Sequence, residues 1–179
     1  MTATGVIPVL ETERLRLRRA RPADLACHAA MLADPEVMRF VGGQPHAREE
    51  AWRRLLTSTG LWTLLGYGYW TLERREDGAY LGQIGFGDFK RDLDPSIEGL
   101  PEMGWLLQRE AHGQGYASEA VAAGLQWADR ALAGQTFTAI IHRENAASIR
   151  VAEKAGFGEA VETSYKGEPT LIFYRRPVG

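Results

Sequence analysis

The spacing of apolar residues changes repeatedly along the chain, and each change predicts an element. Leu15 and Leu17 alternate with Arg14, Arg16 and Arg18, the period of a half-buried strand that opens near Leu10 with its arginines on the solvated face. Arg21-Pro22-Ala23-Asp24 puts a proline in a first helical turn with an acid close behind, and Leu25, His28, Ala29 and Leu32 continue at helical spacing. Asp34-Pro35 reads as the N-cap and first position of a brief helical turn, stopped by Gly42-Gly43. A further helix runs from Arg48 to about Leu65, carrying Trp52, Leu55 and Leu56. Tyr69 to Arg74 is a strand, and Arg75-Glu76-Asp77-Gly78 is a hairpin turn. Tyr80 to Lys90 answers it, with Gly82, Gly85 and Gly87 predicting a bulge or close backbone packing. Residues 91–101 are polar, with Asp92, Asp94, Pro95 and Glu98, and read as a solvated loop.

The longest patterned stretch runs from Glu102 to Ala133. A short apolar run is followed by a loop with Gly113 and Gly115. Ala117, Ala120, Val121, Gly124, Leu125, Ala128 and Leu132 then make one small-residue face of a long helix. Strand, glycine loop, helix is a layout that aims backbone N–H groups at an anion. The first N–H groups of a helix lack intrahelical partners, and the macrodipole adds partial positive charge there. A phosphate or pyrophosphate is the natural guest. No Gly-x-x-x-x-Gly-Lys-Ser/Thr string occurs, and Ser118 stands where a dinucleotide fingerprint needs its third glycine. On these residues alone an ordinary strand–helix connection with turn glycines stays open.

Thr136 to Ile141 is continuous and rich in β-branched residues, as a buried strand requires. Asn145 is the N-cap of a last helix with Ser148 at its third position, and Gly156-Phe157 ends it. Gly158 to Tyr165 and Thr170 to Arg176 form a closing hairpin. The resulting order is a strand, two to three helices, three strands, helix, strand, helix and two strands. It predicts a mixed α/β sheet with helices on both faces.

Composition narrows the function classes. At 179 residues the chain is one domain, expected over residues 9–179 after a loosely held start at 1–8. A net charge of −2 supplies no basic field, so nucleic acid is not an expected partner. Cys27 is the single cysteine, which excludes an internal disulfide or a cysteine-based metal site and fits a reducing cytoplasm. His28, His46 and His142 show no metal spacing, so no metal is expected. No signal peptide is expected, and no apolar run approaches the ~20 residues that span a bilayer, so neither is a membrane partner.

Three pieces of sequence carry a resemblance. They are Leu10-Glu11-Thr12-Glu13-Arg14-Leu15-Arg16-Leu17-Arg18; Glu102-Met103-Gly104-Trp105 with His112-Gly113-Gln114-Gly115-Tyr116-Ala117-Ser118-Glu119-Ala120; and Asn145-x-x-Ser148 running into Glu153-Lys154-Ala155-Gly156-Phe157. Together they resemble the GNAT superfamily of acyl-CoA-dependent N-acyltransferases, most of all the branch of ribosomal-protein N-terminal alanine and serine acetyltransferases. The resemblance implies the single-domain acyl-CoA N-acyltransferase fold, with acetyl-CoA as co-substrate and a primary amine attacking its thioester. It places the pyrophosphate on main-chain N–H groups in the loop from His112 to Ser118, through Gly113, Gln114, Gly115, Tyr116 and Ala117. His112 itself reads as a structural member of that loop. The pantetheine arm would pair along Leu106 and Leu107, with an N–H near the thioester oxygen. Glu102 is the candidate general base, with a solvated strand-edge glutamate as its plainer reading. Ser148 would hydrogen-bond the sulfur and Asn145 a pantetheine amide. Phe40, Trp52 and Trp62 either shape the acceptor groove or pack in the core, and Tyr165 is a candidate acceptor-site residue.

The sequence departs from the superfamily pattern twice. Glu110 stands where Gln or Arg is usual, and Ala152 where a tyrosine acid is common. The acceptor is then a protein N-terminus, a ribosomal protein or a small amine, and the enzyme a monomer or homodimer. The competing reading is an acyl-CoA-binding sensor without turnover.

Overall fold

The computed structural model describes residues 6–177. Its strands are β1 (Leu10–Glu11), β2 (Leu15–Arg18), β3 (Tyr69–Arg74), β4 (Tyr80–Gly87), β5 (Glu102–Leu107), β6 (Phe137–His142), β7 (Gly158–Tyr165) and β8 (Glu168–Arg175). They form one sheet in the order β1-β2-β3-β4-β5-β6-β8-β7. Neighbours pair antiparallel except β5 and β6, which are parallel. The helices are α1 (Leu25–Ala33), α2 (Pro35–Met38), α3 (Arg48–Leu65), α4 (Tyr116–Ala131) and α5 (Ala146–Lys154).

Strand alternation divides the side chains between two layers. Leu15, Leu17, Trp70, Leu72, Ile84, Phe86, Met103 and Leu107 are buried on one face, in one cluster with Ala120, Val121, Leu125 and Ala128 of α4. A Cβ on Gly124 would meet the Met103 side chain at 3.1 Å, so the glycine sets how closely α4 lies on the sheet. Trp62 stacks edge-on against Trp70 and Trp127, with centroids 4.8 and 5.3 Å away, which makes it core rather than groove. On the other face α1, α2 and α3 bury Met31, Leu32, Val37, Met38 and Ala51 against Tyr80. The predicted mixed sheet with helices on both faces is the observed one.

Local chemistry sets the element ends. Asp34 caps α2 by accepting from the Glu36 N–H at 2.9 Å. Gly66, at φ 77°, closes α3 in the left-handed conformation. At Gly82 a Cβ would lie 2.2 Å from the Leu106 carbonyl oxygen, and the register slips opposite, between Leu72 and Glu73. Both the bulge and the close packing expected of this strand are therefore present.

Four expectations are corrected. The opening strand is two, because Thr12 folds back on Leu15 through Thr12 N–H to Leu15 O and Leu15 N–H to Thr12 Oγ1, both at 2.9 Å. Arg18 is not solvated but 5% exposed, because its guanidinium is held by Asp24 and Glu73. β4 stops at Gly87 rather than Lys90, where Lys90 turns to φ 50° and its N–H and ammonium both meet Asp88. Residues 91–101 are tied down: Leu93 and Ile97 are buried against Ile172, and the Thr163 hydroxyl donates to the Asp94 carbonyl at 2.7 Å. The start expected to be loose lies outside the described residues for 1–5. Ile7 packs on the core, and the Pro8 carbonyl accepts from Trp70 Nε1 at 2.8 Å.

Candidate active site

The site begins with a gap in the sheet. β5 pairs with β4 along its whole length, from Glu102 opposite Gly87 to Leu107 opposite Gly82. With β6 it pairs only at Glu102 opposite Thr138. Beyond that bridge the two strands part, and Gly104, Trp105 and Leu106 are half-exposed in the middle of an eight-stranded sheet.

Ladder phase shows which backbone groups face this wedge. The Gln108 N–H donates to Leu81 O and the Thr138 N–H to Pro101 O. Bonding alternates along an antiparallel pair, so the amides of Glu102, Gly104 and Leu106 turn to β4, and those of Met103, Trp105 and Leu107 turn to β6. With Met103 at the bridge, Trp105 and Leu107 keep free N–H groups in the wedge. The Leu106 amide, expected to meet the pantetheine arm, turns to the β4 ladder, while the Trp105 amide faces the wedge. The signal was in the sequence, as the alternation along Glu102-Met103-Gly104-Trp105, but its phase needed the partner strand.

At the open end of the wedge lies the glycine loop. Gly113 and Gly115 take φ 72° and 80°, and Gly115 is the N-cap of α4. Glu119 N–H makes the first helical bond, to Gly115 O at 3.1 Å. The N–H groups of Gly113 through Ser118 have no acceptor among the described residues. His112 closes the loop from beneath, its Nε2 2.8 Å from the Leu107 carbonyl oxygen; a carbonyl only accepts, so Nε2 carries the proton. The Gln114 side chain donates back to the Glu110 carbonyl, and its own carbonyl accepts from Arg14 Nη1 at 2.9 Å. Glu119 would repel an anion in this helical turn, but its carboxylate is taken by Thr12 Oγ1 at 2.6 Å, the Arg14 N–H at 3.0 Å and Arg14 Nε at 2.7 Å.

Across the wedge stands the start of α5. Asn145 caps it, Oδ1 accepting from the Ser148 N–H at 3.1 Å. The Ser148 hydroxyl has no hydrogen-bond partner among the described residues. Ala152 is fully buried, so that turn of α5 presents no acid.

At the closed end of the wedge, Glu102 is 4% exposed, which overturns the solvated reading. Arg91 grips both of its oxygens, Nε to Oε2 at 2.6 Å and Nη2 to Oε1 at 2.8 Å. Arg91 also donates to the Tyr165 hydroxyl at 3.1 Å and lies over the rings of Phe89 and Tyr165 at 4.8 and 5.0 Å. Burial pushes the Glu102 carboxyl above the ordinary range, while the Arg91 guanidinium pulls it back. Thr138, bridged to Glu102, is fully buried and its hydroxyl has no partner. Phe40 packs against His142 of β6 with centroids 5.1 Å apart, so it reaches the β6 side of the wedge. Sequence reasoning missed Arg91, which sits in a charge run indistinguishable from a solvated loop.

Comparisons with known proteins agree with this geometry. The family model described as acetyltransferase (GNAT) domain matches residues 14–158, well over half of the chain. The chain belongs to the GNAT acetyltransferase family. It is 31% identical to the protein YkkB of Bacillus subtilis (strain 168) over 172 residues, covering 93% of this chain and 95% of that one. The crystal structure of an acetyltransferase from Agrobacterium tumefaciens str. C58 superposes with a TM-score of 0.81 at 29% identity, covering 98% of each chain. RimL, a ribosomal L7/L12 alpha-N-protein acetyltransferase solved in complex with coenzyme A, has a TM-score of 0.75 at 18% identity, covering 95% of this chain and 98% of that one, and shares the fold. The chain is therefore an N-acetyltransferase, in a family that uses acetyl-CoA. No helix among the described residues is long and apolar enough to cross a membrane.

Proposed function

We propose that this GNAT enzyme moves an acetyl group from acetyl-CoA to a primary amine by direct attack on the thioester. The observation that carries this is the wedge: a half-paired β5 edge whose free amides lead straight to the unpartnered amides of the glycine loop. The pyrophosphate sits on the N–H groups of Gly113 to Ser118. The pantetheine arm runs along β5 as a strand would, using Trp105 and Leu107. Asn145 meets a pantetheine amide while still capping α5. RimL, with a related fold, was solved with coenzyme A bound, which supports the same ligand here.

The amine nitrogen attacks the carbonyl carbon as a new C–N bond forms and the C=O pair moves to oxygen. The oxyanion collapses, the C–S bond breaks and sulfur leaves with the electron pair. Glu102 takes the amine proton. Arg91 holds the carboxylate in place, and burial makes it a better base than a surface glutamate. Ser148 hydrogen-bonds the departing sulfur.

The acceptor is a protein N-terminus, a ribosomal protein or a small amine. An α-amine, with a pKa of roughly 7.7–8.0, asks less of the base than a lysine at roughly 10.4. Thiol release from acetyl-CoA across a panel of amines and peptides, with mass spectrometry of the products, tests the reading. The expected result is a product 42 Da heavier than one class of amine (about the mass of an added acetyl group less hydrogen). CoA uptake with no thiol release on any acceptor would favour a sensor instead.

A further inference from the structure

Tyr69 crosses the sheet to the point where β5 and β6 part. It sits on β3 opposite Gly85 of β4, which in turn lies opposite Gly104 of β5. Two glycines in that row leave the face bare, and the phenol lies across it. A Cβ placed on Gly104 would be 2.3 Å from the Tyr69 hydroxyl oxygen, so that oxygen occupies the side-chain position of Gly104. The ring is held from behind by Phe89, with centroids 6.3 Å apart, and Phe89 carries the guanidinium of Arg91. The hydroxyl has no hydrogen-bond partner among the described residues.

We propose that the Tyr69 hydroxyl is a catalytic donor to the oxyanion, acting together with the Trp105 N–H. This rests on the acetyl-transfer reading above. The Trp105 amide is bonded directly to the Gly104 carbonyl carbon and faces the wedge. The hydroxyl stands over the same Gly104 Cα from the face that carries α1, α2 and α3. One oxygen lodged beside Gly104 therefore meets both donors, whereas the neighbouring amides of Gly104 and Leu106 are committed to β4. Burial, and then the negative charge of Glu102, push the phenol above its ordinary pKa, so it keeps its proton and serves as a donor rather than a base. In the step it assists, the C=O pair moves to oxygen and the two N–H and O–H bonds point at it without breaking. The amine proton goes to Glu102 as before. Gly104 is thereby required as a seat for the hydroxyl as well as for close approach of the thioester.

Tyr69→Phe and Gly104→Ala test this, with the wild type as control. Steady-state transfer to the best amine of the panel is measured across pH, and CoA binding by calorimetry. Loss of one oxyanion donor lowers kcat about 10²-fold. In Tyr69→Phe that loss is expected at every pH without moving the limbs of the profile, and CoA affinity is expected within about twofold of wild type. Gly104→Ala keeps the phenol but displaces its oxygen, and is expected to lose kcat likewise. If Tyr69→Phe binds CoA normally and keeps kcat within about twofold, the assignment is overturned. A shifted pH limb also overturns it, because it would put the hydroxyl in the proton path. Should Tyr69→Phe not fold, an undiminished kcat in Gly104→Ala overturns it as well. A wild type that takes up no CoA overturns the functional reading and the proposal with it. Wild-type turnover beside an active Tyr69→Phe overturns the proposal alone.

Discussion

Two arginines grip buried carboxylates on the same face of the sheet, one at β2–β3 and one at the β5–β6 gap, and their surroundings differ. At the β2–β3 end, Arg18 donates to both oxygens of Asp24 at 2.8 and 2.9 Å and to Glu73 at 2.6 Å. Asp24 also accepts from the Arg21 N–H at 2.8 Å, and Glu73 from Arg16 at 3.2 Å. Burial pushes the Asp24 carboxyl up, but Arg18 and the Arg21 amide outweigh it, and the net direction is down. At the β5–β6 gap, Arg91 holds Glu102, whose net direction is up, and the hydroxyls of Tyr69 and Thr138 beside it have no hydrogen-bond partner among the described residues. A network that satisfies itself ties helix to sheet. One that leaves hydroxyls unsatisfied around a paired carboxylate is poised for a further polar group. Both sets of carboxylates are buried, so burial alone does not mark a site; what remains unbonded does.

Breaking the closed pair should cost the most stability. Arg18→Met leaves the Asp24 and Glu73 carboxylates buried without their cation, which typically costs about 3–5 kcal/mol. Urea unfolding at neutral pH measures it, and CoA binding by the folded fraction should be unchanged. A loss below about 1 kcal/mol would show that the Arg18 network contributes little to stability and that the contrast between the two ends is wrong.

The β2–β3 end has one exception, and it titrates. His28 of α1 is 2% exposed, with Nδ1 2.9 Å from the Tyr80 hydroxyl and Nε2 unpartnered. Burial, with Arg54 adding to it, pushes its pKa down to about 4 from an ordinary 6.5. The unfolded chain thus binds a proton that the folded one refuses. Stability is fully present above pH 6.5, falls as pH drops through that value, and is fully lost near the folded value of about 4. The span corresponds to about 3 kcal/mol at 1.36 kcal/mol per unit. His28→Gln should flatten the stability profile across that window. An unchanged slope in the variant would assign the acid sensitivity to the carboxylates instead.

At the β5–β6 gap the same kind of change should appear in rate. Glu102→Gln keeps the shape beside Arg91 and removes the base, so kcat at neutral pH should fall about 10²-fold, recovering as pH rises and the amine deprotonates unaided. CoA affinity should stay near wild type, because the cofactor loop is at the other end of β5. A full rate with a flat pH profile would reduce Glu102 to an anchor for Arg91.

The contrast also explains what could be read in advance. Periodicity placed α3 and β3 correctly to the residue, because Gly66 and the Asp77-Gly78 turn end them by local chemistry. The glycine loop and the Asn145 cap were legible for the same reason: each is a few consecutive residues whose backbone needs are written in their types. Arg18 was misread because alternation marks a strand's faces but not what covers them; its partner Glu73 comes from β3, 55 residues away. Arg91 and Tyr69 were missed on similar grounds. Their roles depend on a loop pinned by Leu93 and Ile97, and on a row of Gly85 and Gly104 across three strands. Which way the Leu106 amide turns was not legible, since the phase of a ladder is fixed by its partner.

The smallest expected effect separates function from structure within one helical turn. Asn145 is both cap and candidate ligand group, so Asn145→Ala would confound a stability loss of about 1 kcal/mol with any loss of CoA binding. Ser148 is cleaner. Its N–H completes the cap and survives replacement by alanine, while its hydroxyl has no hydrogen-bond partner among the described residues. Ser148→Ala should leave stability within about 0.5 kcal/mol of wild type. Its effect on kcat should be modest, about tenfold, because a thiol of pKa near 8.5 leaves tolerably without a donor. The loss should shrink as pH falls towards conditions where solvent protonates the thiolate readily. An unchanged kcat would remove Ser148 from the chemistry and leave sulfur departure to solvent. The open end of the sheet would then be a binding and oxyanion device with no acid of its own.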